Sequence, residues 1–464
     1  MRRHTLATAA VLFAFRAAAS PAVADEAAIL SDIKAFFESG DIDRRESIAR
    51  RIESDPDYDR AKVGEWLNRA DLFQPLEPGT RTLRIPLDTG QSRSVLLRVP
   101  KDYDPKKAWP FIYGLHGSHG TGDGIMRYVE AVLGDAVDDF IIAAPTHYKQ
   151  AVIHSQGEAS AEHPIVWHTL KKTAHIDSDR MYVMGYSLGG HSSWTLGILH
   201  ADRFAAVLPV AGSFFLPYLE QLWPPFLPNL QNTHVLNSWG AGDDLAQDGV
   251  SPSPEGGITE SNRKLRDMAD EFKLNLISFE DPDKGHGGVR PPRELLDQAL
   301  SRVRQQYPNV IEHTFRYAYQ GRAYWVEVHD WRGKYWVGPN LGTLRLREGE
   351  DPHAAMRREI RSRLGRIRGR IAGQTIDVRR KHFGVCTVWF GDGMIDWEQP
   401  VLLKVSGRKT FEGLLKPDLF VCLMQAVRTY DLQRLRWAGL RFKSGRKTKP
   451  ITGRTPFPTI LGNE

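Results

Sequence analysis

Apolar and polar positions alternate at a strand's period in two places early in the chain, Arg81–Leu87 and Ser94–Val99. The turn-forming Asp88-Thr-Gly-Gln lies between them, and the pair predicts a β-hairpin. Continuous apolar runs follow at Trp109–Leu115, Phe140–Ala144, Met181–Met184, Ala205–Val210, Val235–Trp239 and Leu274–Phe279. Runs of this length, bounded by turn residues, predict strands buried on both faces. Helical spacing appears at Ile165–Thr173, Asn262–Phe272 and Pro291–Gln306. Strands alternating with helices predict an α/β architecture: a doubly wound, mostly parallel sheet with active groups at the carboxyl ends of its strands.

The flanks follow other patterns. Ile29, Ile33, Phe36 and Phe37 recur at helix spacing, a second piece surrounds Val63 and Trp66, and Pro56, Pro75 and Pro78 punctuate the stretch. A small N-terminal helical segment packed on the main domain is expected. Past Pro308 the pattern becomes β-type and aromatic. His313–Tyr319, Tyr324–Val328, Ile371–Val378, Val385–Phe390, Val401–Val405 and Lys409–Gly413 read as strands, Pro417–Tyr430 as a helix, and Leu440–Phe442 as a closing strand. The expected division is a signal peptide over 1–24, a helical segment over 25–79, a catalytic domain over 80–309, a β-rich accessory domain over 310–443 and a mobile tail over 444–464.

The signal peptide rests on Met1-Arg-Arg-His, an apolar run from Leu6 to Phe15, and Ala22-Val-Ala24 before Asp25. That run is too short to span a bilayer, so export to the periplasm or beyond is expected, without stable membrane insertion. The chain of 464 residues carries a formal charge of +6, with the excess mainly in its last third. Met356–Arg370 is dense in arginine, but Glu359 is interleaved and export separates the chain from nucleic acid; a solvated or envelope-facing basic surface is expected. Two cysteines, Cys386 and Cys422, are too few for a disulfide framework.

The chemistry lies at the strand ends. Met181–Met184 runs into Gly185-Tyr-Ser-Leu-Gly189, a Gly-x-Ser-x-Gly pattern, and a helix-suited stretch follows from His191. Small residues two positions either side of Ser187 permit a sharp strand-to-helix turn that lifts the hydroxyl clear of the sheet. After the strand at 235–239 comes Gly240-Ala-Gly-Asp243-Asp244, and after the last strand Lys284-Gly-His286-Gly-Gly288. The chain order Ser, Asp, His is that of α/β-hydrolases. Ser187 is therefore the expected nucleophile, His286 the base and Asp243 its orienter, with Asp244 the next candidate. The oxyanion hole is expected from the backbone N–H groups of Leu188 and of Ser118, in the loop after Leu115. His116 and His119 form a His-x-x-His pair with no neighbouring Cys or carboxylate, too little for a metal site, and His191 is expected to pack beside the turn. No metal and no cofactor are expected.

His116-Gly-Ser118, Gly185–Gly190, Gly240–Asp243 and Gly285–Gly287 together resemble secreted α/β-hydrolase esterases, the group that includes polyhydroxybutyrate-depolymerase-like and feruloyl-esterase-like enzymes. Ile176–Tyr182 resembles that group's entry into the nucleophile strand, and the region after 310 is similar to C-terminal extensions of some bacterial members. The resemblance covers about residues 80–306 and implies a serine carboxylesterase acting on a small or polymer-linked ester. One departure is Trp239, where many relatives have His. The triad alone leaves open a serine peptidase, or a binding protein on a hydrolase-like core. The apolar segment between Ala211 and Asn232 reads equally as a cap over an acyl pocket and as a packed crossover.

Overall fold

The computed structural model describes residues 26–147, 159–214, 223–245, 257–333 and 345–456. The expected signal peptide lies outside the described residues, as do positions 215–222 of the apolar crossover and the end of the tail.

Helices α1 (Ala27–Glu38), α2 (Ile42–Glu53) and α3 (Val63–Arg69) open the described chain. Asp41 caps α2 by accepting from the Arg44 N–H at 2.7 Å, as expected of a short carboxylate at a helix start. The chain then enters an eight-stranded sheet formed by β1 (Gly79–Pro86), β2 (Ser92–Val99), β3 (Trp109–Leu115), β4 (Ile141–Thr146), β5 (Ile176–Tyr186), β6 (Ala206–Val210), β7 (His234–Gly240) and β8 (Asn275–Asp281). Their spatial order is β1-β2-β4-β3-β5-β6-β7-β8. The predicted hairpin forms the antiparallel edge, and every pair from β4 onward is parallel. Connections run through α4 (Gly122–Leu133), α5 (Ala159–Thr173), α6 (Leu188–Leu199), α7 (Trp223–Phe226) and α8 (Gly257–Met268), and α9 (Arg293–Leu300) follows the last strand. Apolar clusters cover the sheet on both faces, one holding Phe111, Trp167 and Trp194, the other Ile112, Val129 and Leu208. This is an α/β-hydrolase fold.

Two boundaries moved. Helix α4 is absent from the sequence reading because glycines crowd its first turn, yet Ile125, Met126, Val129 and Leu133 form its buried stripe. The helix expected over 291–306 stops at Leu300, and the chain beyond it is drawn into a buried ionic cluster.

The C-terminal region builds two five-stranded sheets. Its elements are β9 (Val310–Phe315), β10 (Arg322–Ala323), β11 (Val326–Val328), α10 (Pro352–Arg363), β12 (Gly365–Ala372), β13 (Thr375–Lys381), β14 (Val385–Phe390), β15 (Val401–Val405), β16 (Arg408–Gly413), α11 (Leu419–Thr429), β17 (Ala438–Lys443) and β18 (Lys449–Pro450). Ile311, Ile367 and Ile376 of one sheet share a core with Val326, Val388 and Leu440 of the other. The single strand expected at 371–378 is the end of β12, a turn at Gly373 (φ 55°) and the start of β13. The arginine-dense stretch is the end of α10 followed by β12. Cys386 and Cys422 are both buried and unpaired.

The N-terminal helices do not rest mainly on the α/β sheet. Ile33, Phe36, Trp66 and Leu67 form one cluster with Leu419, Leu423 and Trp437. Contact with the α/β half is narrower: Phe73 stacks on His175 with ring centroids 4.4 Å apart, and the Asn68 side-chain oxygen meets His175 Nε2 at 3.0 Å.

Buried charge joins the C-terminal region to the α/β half. Arg304 pairs with Asp179 at 2.6 Å and with Asp431 at 3.0 Å. Asp202 pairs with Arg322 at 3.2 Å and Arg434 at 3.4 Å. Burial alone would raise the Asp202 carboxyl pKa, but Arg322 and Arg434 outweigh it and bring it down to about 2. Asn229 adds a neutral stitch, accepting from the Thr314 N–H at 2.8 Å and donating to its carbonyl at 2.9 Å.

Candidate active site

Strand β5 ends at Tyr186 and α6 begins at Leu188, so Ser187 alone makes the turn. Its φ of 59° and ψ of −120° are costly for any residue with a side chain. The neighbours explain how the turn is tolerated. A Cβ on Gly185 would lie 2.1 Å from the Gly189 oxygen, and one on Gly189 would lie 1.9 Å from the Leu115 oxygen. The Ser187 N–H donates to the Val210 oxygen at 2.9 Å, tying the turn to β6. Its hydroxyl therefore stands at the head of α6.

The acid turn and the histidine loop meet backbone to backbone. Gly242 N–H donates to Lys284 O at 2.9 Å, and Ala241 N–H to Asp281 O at 2.8 Å. A Cβ on Gly240 would sit 2.1 Å from the Gly285 oxygen, so the approach requires glycine there. The first turn of α8 secures the other side: Thr259 donates its N–H to Asp243 O at 3.0 Å and its hydroxyl to Gly240 O at 2.7 Å.

These contacts bring the three expected side chains into line. His286 Nδ1 lies 2.9 Å from Asp243 Oδ2, and His286 Nε2 lies 2.8 Å from Ser187 Oγ. A carboxylate only accepts, so Nδ1 carries the proton, leaving Nε2 to accept from the Ser187 hydroxyl. Asp243 is buried whereas Asp244 is exposed, so burial separates the two candidate orienters.

The loop after β3 lies against this turn. A Cβ on Gly117 would meet Ser187 Cβ at 3.3 Å and the Tyr186 oxygen at 3.2 Å. Ser118 is next in that loop, and Leu188 opens α6, so both expected oxyanion donors belong to segments that border Ser187. The neighbouring histidines have local partners. His116 Nδ1 donates to Gly117 O at 2.8 Å and its Nε2 accepts from the His147 N–H at 3.2 Å. His119 Nδ1 meets Ser118 Oγ at 2.9 Å. His191, on α6, is clasped by the Ser213 backbone, with its Nδ1 2.7 Å from the oxygen and 2.9 Å from the nitrogen. Burial holds the His191 pKa down at about 4, so the ring is neutral.

Two tyrosines escaped the sequence reading. Tyr186, the variable residue before the serine, reaches the histidine loop, and Tyr128 on α4 donates to Val289 O at 2.9 Å. Their rings pack edge to face with centroids 5.0 Å apart. The phenolic hydroxyl of Tyr186 carried no signal in the sequence, because any residue fits that slot of the motif. Of the apolar crossover, read equally as a cap and as plain packing, Phe214, Phe226, Leu227 and Leu230 are buried in the core beside the sheet. Trp239 is buried too.

No protein-family model matches the chain. Among curated proteins it is similar to feruloyl esterase C of Emericella nidulans, 26% identical over 177 residues that cover 33% of this chain and 65% of that protein. It is also similar to a probable feruloyl esterase C of Aspergillus terreus, 26% identical over 125 residues, 26% of this chain and 46% of that one. The chain thus spans between about half and two thirds of the length of these relatives. Among solved structures, a thermostable esterase is 19% identical, with a TM-score of 0.38 over 48% of this chain and 63% of that one. An S-formylglutathione hydrolase of Staphylococcus aureus is 17% identical, with a TM-score of 0.35 over 49% and 95%.

Proposed function

We propose that this chain is an exported serine hydrolase that cleaves carboxylic esters through an acyl-enzyme on Ser187. The observation that carries the reading is the continuous Ser187–His286–Asp243 relay at 2.8 and 2.9 Å. In the first half-reaction Ser187 Oγ attacks the ester carbonyl carbon and its proton passes to His286 Nε2. The carbonyl π pair moves onto oxygen, where the N–H groups of Leu188 and Ser118 are the proposed donors. Collapse re-forms the carbonyl and expels the alcohol, which takes the proton from His286. Water then attacks the acyl-enzyme, gives its proton to His286, and the acid leaves as Ser187 is reprotonated. Asp243 holds the imidazole in the required tautomer and stabilises its charged form. No step of this cycle calls for a cofactor.

The named relatives make an ester of a hydroxycinnamic acid the first substrate to try. The N-terminal charge and apolar pattern supports export. The test is labelling with a fluorophosphonate probe, alongside turnover of nitrophenyl esters, methyl ferulate and a peptide amide. Wild type should be labelled and Ser187→Ala should not; equal labelling of both removes Ser187 from the reaction. Amide turnover without ester turnover would make the chain a peptidase.

A further inference from the structure

A cavity of about 560 Å³ opens where the outer face of the β9–β12–β13 sheet meets segments 225–231 and 271–273 of the α/β half. Ser187, Asp243 and His286 do not line it. Its chemistry follows from strand alternation. In β12, Ile367 and Gly369 turn inward, so Arg366 and Arg368 turn outward. Register then places Lys381 of β13 beside Arg366, and Glu312 of β9 beside Arg368. Arg361 enters from the last turn of α10, and Lys273 from the opposite wall. Among the described residues, five cationic side chains therefore line the cavity against two carboxylates, Glu271 and Glu312.

Among the described residues the carboxylates do not offset this excess. Glu312 is already shared, pairing with both Arg366 and Arg368. Lys381 is fixed in place, donating to the Arg361 carbonyl at 2.5 Å, which holds its charge near the arginines. Pro225, Pro228 and Leu364 contribute apolar wall, and low-dielectric walls strengthen the field of the charges between them. The cations feel one another: burial and then Arg368 pull the Arg366 pKa down to about 10, and burial, Arg366 and Arg361 lower that of Lys381. Strand register sets Arg366 beside Lys381 and Arg368 beside Glu312, and the Lys381 bond to the Arg361 carbonyl brings the end of α10 to the same rim.

We propose that this cavity is a binding site for a small multivalent anion, a phosphate ester or a polycarboxylate, held by Arg361, Arg366, Arg368 and Lys381. Guanidinium forks on adjacent outward positions of one strand suit paired oxygens of either group. The site is independent of the ester chemistry, so it stands or falls separately from the triad.

The experiment is calorimetric titration of the full chain with inorganic pyrophosphate and, in parallel, with citrate, at matched ionic strength with sodium chloride as the blank. Saturable one-to-one binding of at least one probe is expected. Pyrophosphate alone would assign the phosphate class, and citrate alone the carboxylate class. Arg361→Gln and Arg368→Gln, both exposed positions, should each weaken binding about tenfold, the loss expected for one charge-assisted hydrogen bond. Glu312→Gln should act in the opposite direction and tighten binding, because it removes the carboxylate that competes for both guanidinium groups. Melting temperatures without ligand check that each variant is folded. Heats no larger than the chloride blank for both probes overturn the proposal. So does binding that survives Arg361→Gln and Arg368→Gln unchanged.

Discussion

The Tyr186 hydroxyl donates to the backbone carbonyl of His286 at 2.6 Å. The residue beside the proposed nucleophile therefore ties down the loop that carries the proposed base, and its ring packs edge to face on the imidazole with centroids 6.1 Å apart. Tyr186→Phe keeps the ring and deletes the hydroxyl's bonds to the loop backbone, at His286 and at Gly288 and Val289. A neutral hydrogen bond contributes about 1 kcal/mol, so kcat on a nitrophenyl ester should fall roughly fivefold with KM nearly unchanged. An unaltered kcat would mean that the loop is held without it.

Asp243 and Asp244 are separated by their surroundings, and the separation is measurable. Asp243→Asn should cost roughly two to four decades of kcat, because the amide can donate to Nδ1 and select the wrong tautomer. Asp244→Asn should leave kcat within about twofold. His286→Ala should lose about three decades or more while circular dichroism stays native.

Asp431 sits between Arg304 and Arg434 with almost no exposure. Removing one partner from a buried ionic cluster leaves charge without compensation, so Asp431→Asn should cost about 3 kcal/mol or more in urea unfolding. Truncation after Gln306 removes Arg322, Asp431 and Arg434 together. It would strip Asp202 of its pairing arginines and uncover the N-terminal helices. The shortened chain should fail to accumulate as folded protein, even though residues after 310 supply none of the proposed catalytic side chains. A soluble, fully active truncation would refute this.

Acid should destabilise the fold in two stages. Burial holds His168, His191 and His329 at about 4, below the ordinary imidazole value near 6.5. A depressed imidazole favours the neutral folded form. Its stabilisation is complete above about 6.5 and is lost as pH falls towards 4, where the unfolded chain binds more protons. The carboxyl of Asp202, at about 2, acts below that window: its contribution is present above the unfolded carboxylate value and is lost as pH falls towards 2. Melting temperature should decline between about pH 6.5 and 4, before carboxylates protonate, and steepen below. A flat profile down to pH 4 would contradict the histidine account.

The sheet and the three side chains at its edge were legible because each signal is local. Apolar runs ending in glycine turns place Ser187, Asp243 and His286 at strand ends whatever the rest of the chain does. The buried ionic cluster was not legible, since Arg304, Asp202 and Asp431 look like any surface charges until distant segments close over them. Asp243 was the expected orienter with Asp244 held behind it, and burial adds what two adjacent identical residues cannot reveal: Asp243 is buried and Asp244 is exposed. The β12–β13 hairpin was misread because Ile371 and Ile376 bracket a turn whose flanking residues suit a strand equally well.

The shared cluster of Phe36 and Trp66 with Leu419 and Leu423 has a consequence for biosynthesis. Phe36 and Trp66 leave the ribosome well before the surface that buries them, which is translated roughly 350 residues later. At about 5–20 residues per second the wait is roughly 20 to 70 s. During that interval Phe36 and Trp66 are exposed to chaperones and proteases. A message cut short before codon 419 should therefore yield a product cleaved first among the helices that carry Phe36 and Trp66.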